Sequence, residues 1–331
     1  MTVDTSAVIT ELEPLANIAL AKGCFLRHEA LAFGFDDRWL SRGVKRGVLV
    51  RLRQGCYVPA EIWQATATTE QLVIRTQAVM RVAEGPVAGS HHSSCAMHEI
   101  DLWGVDTGRA HVVRLDGGAG RVDADATHHE GLCTDQDLVV VRGLRATRPG
   151  RAVLESASLS GVERGLVTAD SALRLKLTSS HDLRRQQQLM LRWPNAQALR
   201  LVATLADGRS GSVGESRSRY MMWAHGLPMP TLQYKVRDGG TLVGICDFCW
   251  PELGLLGEFD GRVKYGRLLK PDQEPGDAVF DEKVREDLLR EITGFGMVRW
   301  TWPELAAPRV TCERIRRAMR RSAAVRRRLS A

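Results

Sequence analysis

Apolar positions along the chain recur in short blocks that switch between a helical and a strand period. Val8, Ile9, Leu12, Leu15, Ile18 and Leu20 fall at helical spacing and predict a helix over 5–20, ended by Gly23. His28 to Phe33 predict a second short helix closed by Gly34. Asp36 or Asp37 caps a third helix that runs to about Arg46, with Gly47 just after it. Val48 to Val58 reads as a hairpin turning at Gln54-Gly55 and stopped by Pro59. Three short helices and a hairpin predict a winged helix-turn-helix over 1–62. A helix from Thr69 to Glu84, strands at Val112–Arg114 and Asp137–Arg142, and a helical run from Arg151 to about Leu175 predict a small α/β region over 63–206. After the polar stretch Asp207–Gly211 the order becomes helix (Val213–His225), strands (Leu232–Val236, Thr241–Trp250, Leu255–Asp260), helix (Asp281–Ile292), strand (Met297–Thr301). Asp238-Gly239-Gly240 is a strong hairpin signal between the first two of these strands. This α-β-β-β-α-β order predicts a mixed sheet flanked by helices over 207–308, followed by an Arg-rich helix or tail over 309–331. The expected fold class is α/β in the broad sense, α+β in detail. No internal repeat is visible.

Composition excludes several classes. The 331 residues are 44% hydrophobic and 26% charged, ordinary for a globular chain and unlike a disordered or collagenous one. No run of about 18 apolar residues occurs, so no membrane partner is expected. Seven scattered cysteines, with no secretory pattern at the N-terminus, fit reduced thiols and a cytoplasmic location. The net charge of +7 is unevenly placed. Nine Arg against one Glu lie between Arg309 and Ala331, and eight basic against three acidic residues lie between Ala21 and Ala60. Two basic zones flanking an acidic middle point to a polyanion, nucleic acid first. A solvated basic helix is the competing reading of the C-terminal zone.

In the predicted third helix, Arg38, Arg42 and Lys45 stand at i, i+4 and i+7 on one face, with Arg46 beside them, while Leu40 and Val44 can pack inward. A helix that is basic outside and apolar inside suits a major groove. Arg51 and Arg53 alternate on one face of the wing, where positive charge contacts phosphates. The competing reading is a solvated helix in a protein-binding scaffold. Cys24–Gly34, Trp39–Gly47 and Leu49–Val58 together resemble the winged-helix domain of AbiEi-type antitoxins of type IV toxin–antitoxin systems. Ser90–Ala96 and Gly143–Glu155 are similar to the body that follows that domain, so the resemblance covers roughly residues 10–175. It implies a DNA-binding, often autorepressing regulator, with a cognate toxin as a possible protein partner.

The other candidate chemistry is a set of carboxylates. Glu258 and Asp260, spaced by two on one strand, share a face, and Asp247 lies on the preceding strand. Converging carboxylates repel unless a cation joins them. Mg²⁺ with oxygen ligands and bound water would serve, and such a water could attack a phosphodiester. Lys264 or Lys283 could orient the nucleophile or stabilise the phosphorane. Glu215, on the helix before the strands, either joins this set or caps its own helix through the box Ser212-Val-Gly-Glu215. Asp260-Gly261 also reads as a simple turn start. Glu215–Arg219, Cys246–Pro251, Glu258–Tyr265, Glu282–Asp287 and Val298–Trp302 resemble the PD-(D/E)XK nuclease superfamily, in particular its very-short-patch-repair-like branch, over about 214–305. The resemblance implies a restriction-endonuclease-like fold and a metal-dependent endodeoxyribonuclease, with Asp247 and Glu258 as metal ligands and Glu215 as the helical acid. One departure stands out: where the superfamily has Lys two residues after the Glu, this chain has Asp260. The catalytic Lys falls to Lys264 or Lys283, or the site binds without cleaving.

Other signals are weaker. Cys246-Asp-Phe-Cys249 lacks a second ligand pair for zinc and reads as core thiols. His91, Cys95 and His98 are helically spaced, which suits a buried helix start as well as a metal. His128-His129 has no partner visible in the sequence. Phosphate-cradling and nucleophile-elbow motifs are missing, against nucleotide hydrolysis, dinucleotide redox and serine hydrolase chemistry.

Overall fold

A computed structural model describes residues 5–261 and 275–329, leaving aside the side chains of 5–11, 275–283 and 329. Lys264 therefore lies outside the described residues, and Lys283 is placed only as a helical position. The fold is α+β with three sheets, forming two compact units: Met1–Thr168 with Leu177–Thr204, and Ala169–Lys176 with Leu205–Ala331. No helix among the described residues is long and apolar enough to cross a membrane.

The first unit opens with α1 (Thr5–Lys22), β1 (Phe25–Leu26), α2 (Arg27–Ala32), α3 (Asp37–Lys45), β2 (Leu49–Arg53) and β3 (Cys56–Pro59). Asp36 caps α3, its side chain accepting from Trp39 N at 2.6 Å, as short polar N-caps do. The strands form a sheet in the order β1-β3-β2, with an irregularity between Arg51 and Arg53. Leu15, Phe25, Leu40, Leu49 and Val58 fill the core beneath it, closed by Ile74 and Ala78. Gly43 lies inside α3 because a Cβ there would come within 2.9 Å of Leu49 Cδ1.

After α4 (Ala60–Ala65) and α5 (Thr68–Arg81), the first unit builds a six-stranded sheet. Its strands are β4 (Val87–Gly89), β5 (Ala110–Arg114), β6 (Arg121–Val122), β7 (Ala126–His129), β8 (Leu138–Val141) and β9 (Leu144–Thr147), in the order β6-β7-β5-β4-β9-β8. β4–β9 and β5–β7 are parallel and the other pairs antiparallel. The short helix α6 (His91–Met97) follows β4. Sequence periodicity finds only two of these strands, because a segment of two to four residues carries too few positions to show a period of two. The helical run expected from Arg151 to Leu175 is two helices, α7 (Pro149–Ser160) and α8 (Val162–Arg174), parted at Gly161 with φ +82°. α9 (Ser180–Leu189) and α10 (Ala196–Leu205) follow.

The second unit holds α11 (Val213–Ala224), β10 (Thr231–Asp238), β11 (Thr241–Trp250), β12 (Leu255–Asp260), α12 (Pro275–Thr293), β13 (Gly296–Thr301), α13 (Trp302–Leu305) and α14 (Pro308–Leu329). The sheet runs β10-β11-β12-β13, with only β12–β13 parallel. One face packs Phe248, Leu255, Phe259 and Trp300 against Met221 and Met222 of α11 and Ile315 and Met319 of α14. The other face packs Cys246, Cys249 and Leu256 against Leu289 of α12. The Arg-rich C-terminal segment is thus an amphipathic helix whose apolar stripe is part of the core. Gly214 lets α11 approach β12, since a Cβ there would strike Phe259 Cε1 at 1.9 Å.

A buried ion pair ties the second unit together. Arg219 on α11 donates to Asp170 Oδ2 at 2.6 Å and to Leu205 O at 2.6 Å, while Asp170 Oδ1 accepts from Asp207 N at 2.7 Å. Removing one partner would leave the other charge buried and unpaired, at a cost of roughly 3–5 kcal/mol. Arg219→Met is therefore expected to lower the urea midpoint of the second unit strongly. A change below about 1 kcal/mol in equilibrium unfolding would show that the pair is not a structural tie.

Candidate nucleic-acid interface and carboxylate cluster

The first unit presents a cationic face. Leu40 turns into the core while Trp39 and Val44 pack at its edge, which fixes the rotation of α3. That rotation leaves Arg38, Arg42, Lys45 and Arg46 exposed, and none of them has an ion-pair partner among the described residues. Asp37, the acid at the start of α3, is tied to Arg27 at 2.6 Å, and that guanidinium holds its carboxyl below the usual range. On the hairpin, Arg51 is exposed. Arg53 is half-buried and faces Asp125 at 3.5 Å, so the two hairpin arginines are not equivalent.

A second cationic face lies on α14. Burial of Thr311, Cys312, Ile315, Ala318 and Met319 directs Arg317, Arg320, Arg321 and Arg328 outward along the opposite side. Other arginines of this helix serve structure: Arg314 donates to Arg299 O at 2.6 Å, and Arg326 lies over Phe295 with 5.4 Å to the ring centroid.

The predicted carboxylates meet unequally. The ladder Phe248↔Gly257, extended by one step, sets Asp247 opposite Glu258, and Asp247 Oδ2 accepts from Phe259 N at 2.9 Å. Glu258 is 7% exposed and sits between two guanidiniums: Arg285 Nη2 of α12 lies 2.8 Å from Oε1 and Arg299 Nη2 of β13 lies 2.7 Å from Oε2. Arg299 Nε also faces Glu286 at 3.3 Å. Asp260 shares the Glu258 face by strand alternation, is partly exposed, and has no ion pair among the described residues.

Glu215 is turned to its own helix start. Its backbone N donates to Ser212 Oγ at 3.2 Å, and its carboxylate accepts from Gly211 N at 2.8 Å, Ser212 Oγ at 2.9 Å and Gln233 Nε2 at 2.9 Å. Ser212 thus caps the helix as the box Ser212-Val-Gly-Glu215 expects, while the Glu215 carboxylate reaches Gly211 N and the Ser212 hydroxyl instead of Ser212 N. Cys246 and Cys249 are buried, and burial pushes both thiols up to about 12, as expected of core cysteines.

Sequence reasoning misses a histidine cluster in the first unit. His91, at the start of α6, stacks on His129 at the end of β7 with 3.7 Å between ring centroids. His111 Nδ1 on β5 lies 2.9 Å from His129 Nε2, and His92 packs edge-on to His111 at 5.1 Å. Burial is the main cause that pushes His91 well below its ordinary value and His92, His111 and His129 down to about 4, so the imidazoles are neutral. The expected trio differs: His98 bonds Thr147 O at 2.9 Å, and Cys95 is a buried thiol. The residues that meet lie on β5, β7 and α6, and only sheet pairing brings them together.

No family model matches the chain. Two proteins of Mycobacterium tuberculosis are similar to it: the uncharacterized protein MT2308 of strain CDC 1551 / Oshkosh and the uncharacterized protein Rv2248 of strain ATCC 25618 / H37Rv. Each is 30% identical over 219 residues, which span 66% of this chain and 75% of the relative. The chain belongs to the family of these mycobacterial proteins.

Proposed function

We propose that this chain is a duplex-DNA-binding regulator of the antitoxin kind, whose N-terminal winged helix-turn-helix inserts α3 into the major groove. The observation that carries the reading is the outward set Arg38, Arg42, Lys45 and Arg46 on a helix whose other side is locked in the core. Exposed guanidiniums and ammoniums with no carboxylate to neutralise them release counterions when phosphates replace water. Arg51 on the hairpin adds a phosphate contact beside the helix, whereas Arg53 contributes less because Asp125 faces it. The outward arginines of α14 supply a further sequence-independent grip.

A second reading is Mg²⁺-dependent phosphodiester hydrolysis by the carboxylates of the C-terminal sheet, and the facing of Asp247 and Glu258 supports it. Against it stands the company Glu258 keeps. Both its oxygens already face arginines, so a dication would have to displace or tolerate two cations at 2.7 and 2.8 Å. Glu215 is likewise committed to its helix cap. A sheet that keeps a nuclease-like outline for binding alone accords best with this pairing.

Two experiments separate the readings. Arg42→Ala/Lys45→Ala is expected to weaken duplex binding about tenfold and to reduce the slope of log K against log salt by up to about 2. A salt-independent response in the unaltered chain would instead favour a protein-binding scaffold. With plasmid and Mg²⁺, neither the unaltered chain nor Asp247→Ala/Glu258→Ala is expected to nick DNA. Cleavage by the first and not the second would establish the hydrolase.

A further inference from the structure

A cavity of about 560 Å³ opens in the first unit, beside β7 and between α7 and α9. His91, His129 and Arg151 form its polar side. We propose that this cavity is a binding site for a small uncharged heteroaromatic molecule, an apolar ring with a hydrogen-bonding edge. The proposal is independent of the DNA-binding reading, since it draws on none of the cations of α3, the hairpin or α14.

Size and walls come first. The volume lies in the range of small-molecule sites. Leu132, Leu159 and Leu189 at the cavity are 84%, 50% and 68% exposed, and Trp193 and Pro194 line it with them. A ring seated against these side chains would remove part of their apolar surface from water.

The polar side is pre-organised. Arg151 is 6% exposed and its three nitrogens are used: Nε donates to Glu155 Oε1 at 2.7 Å, Nη2 to Leu132 O at 2.9 Å, and Nη1 faces Asp137 at 3.1 Å. Glu155 Oε2 also accepts from His91 N at 3.2 Å and Thr147 Oγ1 at 3.0 Å. This network holds His91 at φ +50°, a backbone conformation that a non-glycine residue keeps only where its surroundings impose it. Among the charged lining residues, Arg151 is already held between Asp137 and Glu155, so an anion finds that guanidinium spent. What the cavity offers is neutral imidazole beside the indole of Trp193, with one nitrogen of each ring already engaged, His91 Nδ1 by Ser90 Oγ at 3.0 Å and His129 Nε2 by His111. His111 fixes the His129 ring through the 2.9 Å contact from behind. Neutral rings and apolar walls select a neutral aromatic partner with a polar edge over a phosphate or an ammonium.

The test uses the full chain and an isosteric probe set: indole, quinoline and benzimidazole as neutral heterocycles, indole-3-carboxylate and tryptamine as charged relatives. Ligand-observed NMR titration is expected to give submillimolar binding for at least one neutral probe and about tenfold weaker binding for the charged ones. Leu159→Lys, at an exposed wall position, and His129→Phe, which keeps a ring but no nitrogen, are each expected to weaken binding about fivefold. Leu159→Lys leaves the buried network intact, so the test does not depend on His129→Phe folding. Three results would overturn the proposal: no binding of any neutral probe at millimolar concentration, equal binding of the charged relatives, or affinity unchanged in Leu159→Lys.

Discussion

Within each unit, arginine–carboxylate pairs that are buried or partly buried tie elements in place, and several join segments that the sequence keeps apart. Arg81 reaches Glu29 across 52 residues and Arg219 reaches Asp170 across 49. Arg285 and Arg299 close on Glu258 from a helix and a neighbouring strand. Such pairs add little net stability over an apolar replacement, because desolvation offsets their attraction, but a broken pair leaves a charge with nowhere to go. They therefore act as constraints on geometry. Each element must arrive at the distance and angle its partner requires, and a helix as short as α2 becomes fixed.

This constraint bears on function in opposite ways in the two units. On α3 the acids are few, and Asp37 is occupied by Arg27, so the positive groups that face solvent stay unneutralised. In the C-terminal sheet the reverse holds. Glu258 faces Asp247 across the strands, and the cations beside it are arginines from α12 and β13. The same carboxylate can hold a sheet together or hold a metal, and what decides is the neighbour that tertiary packing brings to it.

The histidine-lined cavity follows the same logic. Arg151 and Glu155, one turn apart on α7, neutralise each other beneath it and position His91 through its backbone. Once that pair is buried, the imidazoles above it face little excess charge, and burial keeps them uncharged too. A pre-organised polar floor under apolar walls is thus a consequence of how α7 is tied to the start of α6.

The amino-acid order by itself determined the elements that rest on local chemistry. Asp36 as a cap, Gly47 past the end of α3, Gln54-Gly55 as a turn and Asp238-Gly239-Gly240 as a hairpin act within a few residues. So does the apolar stripe that makes α3 basic on one side only. Four strands of the six-stranded sheet, β4, β6, β7 and β9, were beyond it, because so few residues show a period poorly and lack the run of valines that marks β8. The partners of Glu258 and the meeting of His91, His111 and His129 were beyond it as well. Those depend on which strands lie side by side and on how far a guanidinium reaches. Both are set by the free energy of packing the whole unit, not by any stretch of sequence read alone.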